Sequence, residues 1–218
     1  GEFMIGVTGP VRTGKSTFIK RFIESAVLPR MEGEYERTQL RDELPQSAGG
    51  RTVMTAEPKF IPDEAASVVL PSGGTLKMKM LDCVGYLVPS ALGAEENGEV
   101  RMVHTPWDET PKPFEEAAEE GTRRVIRDHS TIGILVTSDG SFGDIARDDF
   151  VDAEERVARE LRESGKPFVV VVNSAHPDSP EAEALALELE AKYDVPAALV
   201  DCTRLDEEDV LGILELVL

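Results

Sequence analysis

The sequence predicts an α/β protein with a mostly parallel sheet, one antiparallel strand and helices on both faces. Three features predict it. Short apolar strands alternate with amphipathic helices along most of the chain, the pattern of βαβ units. Residues 168–172 (Phe-Val-Val-Val-Val) are apolar at every position, as in a strand covered on both faces. Ser67–Leu70 and Thr75–Leu81 flank Pro71 and a Ser-Gly-Gly turn, a hairpin signal, with Leu76, Met78 and Met80 alternating against Lys77 and Lys79.

Taken in order, Met4–Thr8 is a short β-rich strand, and Gly1, Glu2 and Phe3 read as residues appended ahead of it. Residues 15–28 form a helix, with Phe18, Ile19, Phe22, Ile23 and Val27 on one stripe. Residues 29–65 lack periodicity and carry Pro29, Gly33, Pro45, Pro58 and Pro62, so a long loop is expected. The hairpin follows, and residues 86–113 form a second long loop around Trp107. Phe114–His129 is a helix with Arg123, Arg124 and Arg127 at its C-terminal end, where the helix dipole favours cations. Then come a strand at Thr131–Thr137, a charged helix at Asp148–Ser164 and the buried strand Pro167–Asn173. Helix Pro180–Tyr193, strand Ala197–Val200 and helix Glu207–Val217 complete the chain.

The chain has 218 residues, enough for one large domain, and residues 4–218 read as one. Its net charge of −19 repels phosphate backbones and anionic membranes, which argues against general nucleic-acid binding. No apolar run approaches the roughly 18 residues of a membrane span, and no signal peptide is expected. Cys83 and Cys202 stand far apart. That excludes a disulfide framework and suits a reducing cytoplasm.

The turn after the first strand carries chemistry. Residues 9–16 (Gly-Pro-Val-Arg-Thr-Gly-Lys-Ser) match G-x-x-x-x-G-K-[ST] (Walker A) at every defined position, between a strand and a helix. Such a P-loop turns backbone N–H groups around phosphate oxygens, and the helix N-terminus faces the same anion. Gly9, Arg12, Thr13, Gly14, Lys15, Ser16 and Thr17 are therefore candidate nucleotide contacts. Lys15 would reach the β- and γ-phosphates, and the Ser16 hydroxyl would bind Mg²⁺. Asp82, at the end of an apolar strand, is a second Mg²⁺ candidate, and Gly85 could offer its N–H to a γ-phosphate. An antiparallel strand beside the one carrying this Asp is the arrangement of the GTPase-like (TRAFAC) branch of phosphate-loop NTPases. That branch places a threonine between the two motifs that closes over metal and γ-phosphate. Thr55 is the first choice and Thr52 the alternative.

Other positions depart from a GTP-binding pattern. After the buried strand, Asn173 keeps the Asn of Asn-Lys-x-Asp, but Ser174 and His176 replace the Lys and Asp. A histidine cannot accept two hydrogen bonds from guanine as a carboxylate does, so ATP or loose base selection is favoured over GTP; a solvated loop residue is the plainer reading of His176. Asn173 and Ser174 are kept as nucleotide contacts. Tyr86 stands where Ras-like enzymes have a water-orienting Gln. Arg12 could supply positive charge to the transition state in cis, or face solvent. Lys15, Thr55, Asp82 and Arg12 form the candidate catalytic set, and Ser16, Asp82 and Thr55 the candidate metal ligands. Residues 94–120 hold nine acidic and two basic residues. They read as a protomer contact anchored by Trp107, or as a flap whose Trp packs on its own domain.

Several stretches together resemble the spore-coat morphogenetic ATPases of the stage IV sporulation protein A family: residues 9–17, 42–47, 54–60, 82–86, 105–107, 129–133 and 139–147. The resemblance runs from Ile5 to the final helix. It implies an ATPase of GTPase-like fold that uses ATP and Mg²⁺, with Lys15, Asp82 and Thr55 at the phosphate, magnesium and sensor positions. It also implies hydrolysis-driven self-assembly into a homopolymer at the forespore surface, in the mother-cell cytoplasm. The implied partners are a small amphipathic membrane anchor protein and other coat proteins. Members of that family carry a short segment before the first strand and further domains after the last helix, whereas these residues end at Leu218.

Overall fold

The computed structural model describes residues 1–45, 58–69, 72–90 and 95–218. Its centre is a six-stranded sheet: β1 (Glu2–Thr8), β2 (Lys59–Val69), β3 (Thr75–Asp82), β4 (Ile132–Ser138), β5 (Phe168–Asn173) and β6 (Ala197–Val200). Their spatial order is β6-β5-β4-β1-β3-β2. Every pair is parallel except β2 with β3. The register sets Val7 beside Asp82 on one side and beside Ile134 on the other. The C-terminal ends of all five parallel strands thus meet at one edge of the sheet. The chain leaves central β1 for β2 and β3 on one side and for β4, β5 and β6 on the other. Open α/β sheets bind ligands at such a switch point.

Helices α1 (Lys15–Phe22), α2 (Glu34–Glu43) and α6 (Glu207–Val217) cover one face. Helices α3 (Phe114–Arg124), α4 (Arg147–Ser164) and α5 (Pro180–Tyr193) cover the other. The apolar run of β5 divides as a strand must: Val169 and Val171 enter the first core, Val170 and Val172 the second. Local chemistry agrees with these boundaries. Ser179 caps α5 by accepting from the Ala182 N–H at 3.2 Å, ahead of Pro180. Asp206 and Asp209 form a capping box on α6. Among the described residues, no helix is long and apolar enough to cross a membrane.

The structure corrects three expectations. The first strand begins at Glu2, not Met4: Glu2 pairs with Lys77 and Phe3 with Met78, and Phe3 packs against the core. Residues 29–65 are not one loop. They contain α2 and the start of β2. Helix α2 buries only Leu40, so it shows no apolar stripe, and a bulge between Ile61 and Ala66 breaks the two-residue period of β2. Residues 86–113 are not all loop either, because Met102–Val103 pairs with Lys112–Pro113 and Glu95–Glu96 with Glu99–Val100. In addition, the helices expected over 15–28 and 114–129 pass into π turns at Ile23–Val27 and Val125–His129. Trp107 packs on its own domain: the Arg124 guanidinium lies 4.8 Å from its ring centroid, and Lys112 pairs with Asp108 at 2.6 Å and with Glu120.

Candidate functional site

Residues 9–16 leave the end of β1 and wrap the start of α1. Gly9 adopts a φ of +141°, and a Cβ there would lie 2.1 Å from the Val136 carbonyl oxygen. Only glycine lets the chain turn this close to β4. The Gly14 carbonyl accepts from the Phe18 N–H at 2.8 Å, opening α1, whose first turn carries Ser16 and Thr17. Arg12 sits at the loop apex with a left-handed φ of 63°, near enough for its charge to act on Lys15.

Lys15 is only 6% exposed. Its ammonium donates to the Pro10 carbonyl at 2.6 Å, and the Thr13 hydroxyl donates to the same oxygen at 3.0 Å. Burial pulls the Lys15 pKa below the usual lysine range, against the opposing charges of Cys83 and Asp82. Burial likewise pushes the Asp82 carboxyl up, opposed by Lys15 and by a hydrogen bond from Ser16. The Ser16 hydroxyl donates to Asp82 Oδ2 at 3.3 Å. The structure therefore brings Lys15, Ser16 and Asp82 together from 66 residues apart.

Gly85 and Tyr86 close the loop from the β3 side. Gly85 packs on the Gly9 carbonyl, and the Tyr86 carbonyl accepts from the Val11 N–H at 3.0 Å. The Tyr86 ring is buried, with the Arg156 guanidinium 4.4 Å from its centroid, and Arg156 pairs with Glu119 at 2.6 Å. Sequence reasoning saw Tyr86 only as a replaced Gln and missed this fastening, which no motif signals.

Asn173 closes the loop from the other side. Its Nδ2 donates to the Thr13 carbonyl at 3.0 Å, and its Oδ1 accepts from the Cys202 N–H at 2.9 Å. Both ends of the side chain are engaged with backbone, so its contact is with the loop. Ser174 is buried; its N–H donates to the Val200 carbonyl at 2.9 Å and its Oγ accepts from the His176 N–H at 3.0 Å. His176 is exposed, the plainer of its two readings. Thr52 and Thr55 lie outside the described residues.

These donors fit a metal-bound polyphosphate. A lysine, a helix N-terminus and a glycine turn form an anion cradle. A hydroxyl and a carboxylate are the hard oxygen ligands that Mg²⁺ selects, usually one or two from protein with the rest from phosphate and water. Among the described residues, no group of three or more His, Cys, Asp or Glu side chains is placed to hold a metal ion.

Comparison with known proteins identifies the family of the chain. The chain is 53% identical over 214 residues to stage IV sporulation protein A of Bacillus subtilis (strain 168), covering 98% of this chain and 44% of that protein. It is 50% identical over 214 residues to the Bacillus anthracis protein of the same name, covering 98% of this chain and 44% of that one. It is 49% identical over 218 residues to that of Clostridioides difficile (strain 630), covering 100% of this chain and 44% of the relative. The chain thus spans less than half the length of these relatives. With residues 1–218 matching the family model "Stage IV sporulation protein A, ATPase domain", the chain belongs to the stage IV sporulation protein A family.

Proposed function

We propose that this domain binds Mg²⁺–ATP in the Gly9–Ser16 P-loop and hydrolyses it slowly. In the whole protein, hydrolysis would drive self-assembly into the basement layer of the spore coat. The observation that carries this reading is the buried Lys15 beside a Ser16–Asp82 contact of 3.3 Å, at the C-terminal edge of a parallel sheet. The antiparallel β2 beside β3, which ends at Asp82, supports a GTPase-like (TRAFAC) fold.

Bound Mg²⁺ supplies charge neutralisation on the β- and γ-phosphates. Ser16 and Asp82 would hold it, with Thr55 closing over the site. Lys15 would exchange its bond to the Pro10 carbonyl for phosphate oxygens, and Arg12 would add positive charge in cis. Gly9, Thr13, Gly14, Thr17 and Gly85 would line the phosphates. Asn173 would act by holding the Thr13 carbonyl, and Ser174 would border the nucleoside. An exposed His176 where guanine readers carry a carboxylate favours ATP over GTP.

The partners proposed for the whole protein are further copies of itself, a small amphipathic membrane anchor protein and other coat proteins. The proposed location is the mother-cell cytoplasm at the forespore surface. Nucleic acid is not among the partners, given the net charge of −19.

The test is phosphate release from ATP and GTP in parallel, at matched Mg²⁺, for the parent and Lys15→Ala. ATP turnover that disappears in the variant, with little GTP turnover, is the expected result. A preference for GTP would overturn it. One observation favours a second reading, a nucleotide-clamped scaffold: Tyr86, which stands where Ras-like enzymes have a water-orienting Gln, is buried with its ring beneath Arg156. Tight ATP binding without turnover would select that reading.

A further inference from the structure

We infer that the ion pair between half-buried Arg147 and buried Glu154 is a positioning element for the nucleoside end of the nucleotide site, acting through the loop of residues 139–146. The inference rests on the nucleotide reading above and extends it to residues that reading does not use.

Direction comes first. On the nucleotide reading, Asp82 and Gly85, at and just after the end of β3, would hold the metal and γ-phosphate end on the β3 side of β1. The nucleoside must then extend the other way, over the C-terminal ends of β4 and β5. The loop of residues 139–146 leaves the end of β4 there, before α4.

That loop is held from beneath by charge. Glu154 is 0% exposed, and Arg147 meets it in a fork: Nη1 lies 2.5 Å from Oε2 and Nη2 lies 3.0 Å from Oε1. Arg147 Nη1 also donates to the Thr137 hydroxyl at 3.2 Å and to the Ser138 carbonyl at 3.1 Å. Tyr193 donates to Glu154 Oε1 at 2.7 Å. A bidentate, fully hydrogen-bonded pair has one geometry, so it fixes the strand end it touches.

From that strand end the hydrogen bonds continue to the site. The Ser138 hydroxyl accepts from the Gly140 N–H at 3.0 Å. Ser141 Oγ accepts from the Ala175 N–H at 2.8 Å and donates to Asp139 at 2.5 Å. The Asp139 N–H points to the Asn173 carbonyl at 3.4 Å, and the Asn173 side chain holds the Thr13 carbonyl. The ion pair therefore sets the wall of the crevice over β4 and β5. Among the described residues, its link to the phosphate loop runs through Asn173.

The experiment separates nucleoside from phosphate. Calorimetric affinities for Mg²⁺–ATP and for Mg²⁺–tripolyphosphate, which lacks a nucleoside, are measured on the parent and on Arg147→Met/Glu154→Gln. The double variant neutralises both partners, so no buried charge is left alone. We expect its ATP affinity to fall at least about tenfold while tripolyphosphate affinity stays within about twofold. Ser141→Ala changes an exposed residue, so its folding is not at stake; it should weaken ATP binding in the same selective way. Tyr193→Phe removes a bond to Glu154 but leaves the Arg147 fork and its bonds to β4 in place, and should lower thermal stability without moving ATP affinity. Unchanged ATP affinity in both Ser141→Ala and the double variant would overturn the inference, as would equal losses for the two ligands. A parent that binds neither ligand would instead remove the nucleotide reading, and this inference with it.

Discussion

A methyl group at Gly85 tests whether the two glycine turns lock one another. Gly85 has a φ of +82°, which costs a side-chain-bearing residue about 1–2 kcal/mol. Its Cβ would fall 1.7 Å from the Gly9 carbonyl oxygen, where real Cβ contacts essentially never come below 3.0 Å. The oxygen belongs to the backbone and the Cβ position is fixed by it, so no rotamer change relieves the overlap. The chain must open by about 1.3 Å, the difference between those two distances, at an overpacking cost of about 1–3 kcal/mol. The adjoining Val11 N–H to Tyr86 carbonyl bond of 3.0 Å would go with it, a further loss of about 1 kcal/mol. The sum is roughly 3–6 kcal/mol, a large share of the ~5–15 kcal/mol that stabilises a domain. For a chain of this size the melting temperature should fall on the order of 10 °C. Gly73→Ala is the matched control. Its φ is +87°, but among the described residues nothing lies within 4 Å of the new methyl, so only the conformational cost of about 1–2 kcal/mol applies. Thermal unfolding followed by Trp107 fluorescence and circular dichroism reads both variants. If they melt within a few degrees of each other, the steric argument is wrong.

Three further outcomes follow from the same geometry. Asn173→Ala removes two buried bonds, to the Thr13 carbonyl and from the Cys202 N–H, and should cost about 2–5 kcal/mol in urea unfolding; a smaller loss would mean that water replaces the amide. Arg12→Ala should lower phosphate release from ATP at least about 100-fold while ATP affinity changes little; an intact rate would return Arg12 to the protein surface. Burial raises the Glu154 pKa, but the Arg147 pair, Thr137 and Tyr193 outweigh it and hold the carboxyl below the usual glutamate range. A folded-state pKa below the unfolded value contributes stability at neutral pH and loses it as pH falls through the lowered value. Unfolding titrations should therefore show a steep acid limb for the parent and a flatter one for Arg147→Met/Glu154→Gln.

The sequence by itself determined what local chemistry can express. A strand, a Gly-x-x-x-x-Gly-Lys-Ser turn and a helix in succession specified the β1–α1 unit, because glycine torsions and helix dipoles act within a few residues. The apolar run of β5 and the capped helices α5 and α6 were readable for the same reason, and their observed bounds agree with the expected ones almost residue for residue. Helix α2 was not readable, since one buried Leu40 leaves no periodicity, and neither was the start of β2, whose alternation the bulge interrupts. Only the tertiary structure decided which distant groups meet. Nothing in the residues around Glu154 marks it as the buried partner of Arg147, and nothing around Asn173 says that its amide will clasp both Thr13 and Cys202. A buried polar group must find a hydrogen-bond partner wherever the chain brings one. That partner is chosen by strand order, which places β4 and β5 beside β1 although well over a hundred residues of chain intervene before them.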